Sequence, residues 1–143
     1  MLTTSELEHH IKNIFKQVLP NVEMRFITFA HGNCNSPEGT YVFSENEQYH
    51  YLITEKGKIG LDEVILDERK VLWHVADNII FNIALEFAAK NRQDGKDFRR
   101  KLFEKEIELF SLFGEDFRER KENEIQEILL NNPFVDEINE FQR

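Results

Sequence analysis

TYVFSENEQYHYLITEKGKIGL, residues 40–61, decides the fold. Thr40–Ser44 and Gln48–Thr54 are the clearest strands. Tyr41 and Phe43 alternate with Val42, and Tyr49, Tyr51 and Ile53 alternate with His50 and Leu52. Aromatic and β-branched residues at period two suit a pleated, half-buried surface. The polar Glu45-Asn46-Glu47 supplies a hairpin connection. Glu55-Lys56-Gly57 is a second turn, leading to a short third strand near Lys58–Leu61. Two or three strands need a helix on one face to persist in water. The expectation is a small antiparallel meander over about 40–61, packed on helices.

Downstream of the meander everything reads as helix. Asp67 is placed to cap a helix from Glu68 to about Lys90. Leu72, Val75, Ala76, Ile79, Ile80, Ile83, Ala84 and Phe87 form a wide apolar face, with Trp73, Phe81 and Leu85 off it. A helix apolar on most sides is a central one. Asp94 is placed to cap a third helix bearing Phe98, Leu102, Phe103, Ile107, Leu109, Phe110 and Phe113, and Gly114 suits a left-handed stop. A fourth helix spans Glu115 to about Leu130, with Phe117, Ile125, Ile128 and Leu129 inward. Phe134, Val135, Ile138 and Phe141 then suggest a tail that docks.

Upstream, Thr3 and Glu6 form a capping-box pattern, followed by Leu7, Ile11, Ile14, Phe15, Val18 and Leu19 at helical spacing, and Pro20 closes that helix. Met24–Phe29 is a weak strand, and His31–Gly39 is a loop. Strands grouped together and helices grouped together make an α+β chain. The reading is a single domain over 1–143: an N-terminal helix, a meander at about 40–61, and a helical half of about three helices at about 67–131.

The 143 residues are 41% hydrophobic and 31% charged, which excludes a disordered chain. A single cysteine, Cys34, excludes an internal disulfide and a multi-cysteine zinc site. Eighteen Lys and Arg against 27 Asp and Glu leave a net charge of −9. Such a chain is a poor ligand for nucleic acid or an anionic membrane, and it suits a basic protein partner. The apolar run Asn78–Ala89 is too short and too interrupted to span a bilayer. Met1–Glu6 has neither a basic nor an apolar leader, so a cytoplasmic protein is expected.

No catalytic constellation, metal site or cofactor motif assembles. The five histidines, His9, His10, His31, His50 and His74, fall into no helix-borne metal spacing. His31 and Cys34 would need two distant ligands to bind a metal. His74 and Asp77 lie three apart on a helix but lack the third group that acid–base catalysis needs.

Two features stand out. Tyr41, Phe43, Tyr49 and Tyr51 crowd the hairpin: on a covered face they are core, and on an exposed face they make a binding surface. Tyr41, Tyr49, Tyr51 and Trp73 are therefore the candidate binding residues. The other feature is Asp97-Phe98-Arg99-Arg100, where adjacent arginines near a helix start oppose the macrodipole and call for carboxylates. Glu55, Asp94 and Asp97 are candidates, and a clamp of Glu55, Asp97, Arg99 and Arg100 between sheet and helix is expected.

The ordered series resembles a known family. Tyr41-x-Phe43-Ser44, Tyr49-His50-Tyr51 and Glu55-x-Gly57 look like the meander of the immunity protein 63 family, followed by Trp73 in the long helix. Asn91-Arg92, Asp97-Phe98-Arg99-Arg100-x-x-Phe103 and Asn132-Pro133-Phe134 look like its helical half. The resemblance runs from about Tyr41 to Asp136, with Lys56 where the family pattern has Arg. It implies a non-catalytic, cytoplasmic bacterial immunity protein of a polymorphic toxin system. Such a protein binds a cognate toxin domain, and a nuclease with a basic cleft is one toxin that an acidic surface would mask. An adaptor for some other partner remains an alternative, as does a small enzyme using His31, Cys34 or His74.

Overall fold

The computed structural model describes residues 1–137. The order of elements is α1 (Thr4–Val18), β1 (Ile27–Thr28), β2 (Gly39–Glu45), β3 (Gln48–Glu55), β4 (Lys58–Ile65), α2 (Glu68–Lys90), α3 (Arg99–Ser111) and α4 (Glu115–Asn131). The architecture is α+β. The chain forms two compact units, Met1–Ala76 and Asp77–Arg143, and the division falls within α2.

In the first unit, α1 opens on the capping box read in the sequence. Glu6 N–H donates to Thr3 Oγ1 at 3.2 Å, and Thr3 N–H donates to Glu6 Oε1 at 2.9 Å. Leu7, Ile11 and Phe15, four apart, are its buried stripe. Burying each contributes about 1.5–3 kcal/mol. Thr4 Oγ1 accepts the Ser44 N–H at 3.0 Å, and Leu2 N–H donates to the Tyr49 hydroxyl at 2.9 Å, so the start of α1 is tied to the hairpin.

The sheet runs β1-β2-β3-β4, with β1 parallel to β2 and the remaining pairs antiparallel. The parallel β1 is a two-residue piece of the weak strand expected at Met24–Phe29. β4 is longer than the sequence pattern suggested, reaching Ile65 rather than Leu61.

Both hairpin turns have two residues. Glu45 pairs with Gln48 around Asn46 and Glu47, and Glu55 pairs with Lys58 around Lys56 and Gly57. All four turn residues have positive φ. That is the type I′ geometry, whose twist matches the strands.

The two-residue turn also decides where the aromatics point. Tyr41 pairs with Leu52 and Phe43 with His50, whereas Val42 pairs with Tyr51 and Ser44 with Tyr49. Tyr41 and Phe43 therefore lie on one face, and Tyr49 and Tyr51 lie on the other. A three-residue connection at Glu45-Asn46-Glu47 would have put all four on the same face, because a one-residue slip flips every side chain.

Asp67 Oδ1 caps α2 through the Lys70 N–H at 2.8 Å. α2 is buried on several sides: Val71, Leu72, Trp73, Val75, Ala76, Ile80, Ala84 and Ala88 are all inside. The whole helix, 23 residues against the shorter run Asn78–Ala89 considered in the sequence, is long and apolar enough to cross a bilayer by length and composition alone. Half of the apolar stretch is buried within the protein, as in the core helix of a globular fold.

In the second unit, Ala84, Ala88, Leu102, Phe103 and Ile125 form a core, with Phe98, Ile107, Leu129 and Phe134 packed against it. α3 begins at Arg99, later than an Asp94 cap would place it. Asp97 caps it instead, accepting the Arg99 N–H at 2.9 Å. Gly114 is the N-cap of α4 at φ 137°, ψ 166°, an extended conformation open to glycine, not the left-handed stop expected. Ile128 is exposed, not inward. Phe134 docks on Phe103, while Ile138 and Phe141 lie outside the described residues.

Candidate functional site

The four candidate binding aromatics are interior residues in this fold. Tyr41 is 8% exposed, Tyr49 0%, Tyr51 5% and Trp73 2%. Tyr49 sits against the start of α2, where burial and the neighbouring Glu68 carboxylate push its phenol pKa up. The Tyr51 ring lies 5.3 Å from the His74 ring. Tyr41 and Phe43 pack with Leu52 on the opposite face. The 31–38 loop covers that face: Pro37 O accepts both the Tyr41 hydroxyl at 2.7 Å and the Thr54 hydroxyl at 2.9 Å.

A row of rings continues across this face. His31 packs on Phe43 with centroids 4.8 Å apart, and His50 stacks on the same ring at 4.8 Å. Each histidine meets a carboxylate, His31 Nε2 with Glu45 Oε2 at 3.2 Å and His50 Nδ1 with Asp62 Oδ1 at 3.3 Å. Cys34 is exposed on the loop. Among the described residues, no group of three His, Cys, Asp or Glu is arranged to hold a metal ion.

The exposed part of this sheet is β4. It is the end strand, and seven of its eight residues are exposed. Ile59 is 46% exposed, Leu61 37% and Val64 48%, and Leu66 just beyond is 69% exposed. Asp62 and Glu63 separate the apolar residues. Sequence reasoning missed this surface because a strand exposed on both faces shows no apolar–polar alternation, and Asp62-Glu63 looks like a turn.

In the second unit the arginine pair is answered twice. Arg99 Nη2 lies 2.9 Å from Asp97 Oδ2, and its Nη1 and Nη2 donate to Asn132 O and Pro133 O, each at 2.9 Å. Arg100 grips Asp136 through Nε at 3.1 Å and Nη2 at 3.0 Å, and its guanidinium lies 4.2 Å from the Phe134 ring centroid. Asp136 Oδ1 accepts the Asp97 N–H at 2.7 Å, and Asp97 Oδ2 accepts the Val135 N–H at 2.8 Å. The network straps 132–136 to the start of α3. The Arg99 guanidinium holds the Asp97 carboxyl well below the usual range, and Arg100 lowers Asp136. Glu55 is an exposed residue at the end of β3, and the carboxylate that Arg100 takes is Asp136.

A second charged cluster centres on two buried side chains, Lys121 and Glu106. Lys121 Nζ meets Asp77 Oδ1 at 2.9 Å, Glu124 Oε2 at 3.0 Å and Glu106 Oε2 at 3.6 Å. It also lies 4.8 Å from the Phe110 ring centroid. Asp77, considered with His74 as a catalytic pair, is engaged by this lysine. The cluster had a signal in the sequence: Lys121 sits between Phe117 and Ile125 at helical spacing, on the apolar stripe.

The candidate aromatics and the Arg99–Arg100 pair are thus spent on packing and strapping, and among the described residues β4 is an exposed end strand. That arrangement is a small α+β fold. The family model for Immunity protein 63 matches residues 45–127, and the chain belongs to that family. No curated protein and no solved structure matches it.

Proposed function

We propose that this chain is the antidote of a polymorphic toxin system. It binds a cognate toxin domain in the cytoplasm of the producing cell and blocks that domain without catalysis of its own. Membership of the Immunity protein 63 family is the observation that carries this reading. The net charge of −9 supports a basic partner, since opposite fields steer and speed association. A nuclease fits that description, because its cleft must carry cations to hold nucleic acid. An acidic protein seated over such a cleft would occupy the place of the substrate backbone.

The test is growth rescue. The toxic domain encoded beside this gene is expressed with and without this chain, and the pair is purified together. Restored growth with a stable complex supports the reading. Continued killing with no complex overturns it and leaves the adaptor alternative.

A further inference from the structure

We propose that β4 is the docking edge for the toxin domain, which adds one of its own strands, bearing Lys or Arg, to the open side of the sheet. This rests on the toxin-binding reading above.

β4 ends the strand order, so its outward N–H and C=O groups have no strand beside them among the described residues. A row of such groups is a template for another strand. The apolar side chains follow the same geometry. Ile59 and Val64 lie on one face of β4 and Leu61 on the other, so an added strand would cover apolar surface on both faces. One irregularity interrupts the ladder: Ile53 pairs with Leu61 and Thr54 with Ile59, so Gly60 is an extra residue. From Leu61 to Ile65 the register is regular, which leaves most of the strand able to accept a neighbour.

Charge selects the occupant. Asp62 and Glu63 are consecutive and point to opposite faces, so an incoming strand meets a carboxylate on either side. An antiparallel pairing of two copies centred on β4 would bring both Asp62 and both Glu63 residues within about two positions of each other, and like charges at that range repel. A strand with Lys or Arg at those positions is attracted instead. The preferred occupant is therefore a basic segment of another protein and not a second copy of this chain.

The experiment uses the full chain and the toxin domain encoded beside its gene. Hydrogen exchange across 58–65 is compared in the free chain and the complex, and strand addition should slow the outward amides of β4 at least about tenfold. Affinity is then measured for Glu63→Lys/Val64→Lys, with folding checked by circular dichroism. The expected loss is about a hundredfold, mostly gone at high salt for the charge-dependent part. Glu119→Lys/Glu127→Lys, a larger charge change on exposed positions of α4, should cost less than about threefold. A wild-type complex with unchanged β4 exchange overturns the inference while leaving toxin binding intact. So does a free chain that sediments as a dimer with β4 already protected. A wild-type chain that neither binds nor rescues overturns the reading beneath it and the inference with it.

Discussion

Lys121 Nζ lies 3.6 Å from Glu106 Oε2, and the two side chains are only 8% and 6% exposed. Burial pushes the Glu106 carboxyl up, and Lys121 pulls it only partly back. Burial also pulls the Lys121 ammonium down, but Asp77, Glu106 and Glu124 outweigh that and leave it above its ordinary value. Removing the cation strands a buried carboxylate, so Lys121→Ala should cost about 3–5 kcal/mol in a denaturant titration at neutral pH. Lys121→Met/Glu106→Gln should recover much of that loss, because no charge is left uncompensated. A carboxyl with a raised folded-state pKa favours folding below its ordinary value of 4.5 and loses that contribution as pH rises through the folded value. Lys121→Ala raises Glu106 further, so the variant should be more stable near pH 5 than at pH 8. A flat profile would show Glu106 to be solvated.

The strap at the start of α3 responds to pH in the opposite direction. Asp97 and Asp136 are both lowered from their ordinary 3.8, Asp97 by the Arg99 pair and Asp136 by the Arg100 pair first. Lowered carboxyls favour folding above the ordinary value, and that contribution is lost as pH falls through the folded value. The Val135 amide, held by Asp97, should therefore stay protected at pH 4 and exchange freely only in stronger acid. Asp97→Asn should speed exchange at Val135 at least about tenfold at pH 7 without altering amides in α1. Equal protection in the variant would mean that Phe134 packing alone holds the tail.

The first hairpin turn contains a correctable flaw. Glu47 has φ 59°, a left-handed conformation that a side chain with a Cβ disfavours. Asn46 tolerates it and Gly57 serves the equivalent position of the second turn, so Glu47→Gly converts the loop into Asn-Gly, the preferred type I′ pair. The variant should gain about 1 kcal/mol and raise the thermal midpoint. A loss of stability would mean that the Glu47 side chain makes a compensating contact.

Local signals were legible in the sequence, and long-range ones were not. The Thr3–Glu6 box, the Asp67 cap and both turns depend on residues within four positions; the box and the cap lie where their spacing placed them, and each turn is one residue tighter than the stretch read for it. The partner of Arg100 is Asp136, 36 residues away in an irregular segment, where no period could point to it. Tyr41, Tyr49 and Tyr51 illustrate a subtler limit. Their burial followed from helices on one face and the 31–38 loop on the other, and the loop shows no apolar pattern that would announce a cover. β4 is the converse case: exposed along seven of its eight residues, it has no pattern either, and such a strand is hard to tell from a turn.

The cover formed by that loop depends on a glycine. A Cβ on Gly32 would lie 2.6 Å from Tyr41 Cγ, 2.8 Å from its Cβ and 2.9 Å from its Cδ2. These atoms are the base of the ring, not its free end, and the ring is fixed by packing with Phe43 and Leu52 and by its hydroxyl bond to Pro37 O. The loop must therefore move, and Gly32→Ala should cost about 1–3 kcal/mol. Tyr41→Phe keeps the ring and removes only the bond to Pro37, at about 1 kcal/mol. If the alanine displaces the loop, that bond is already lost, so the double variant should cost less than the sum of the two singles. A double-mutant cycle reads this directly. Strict additivity would show that the ring shifts and the loop stays.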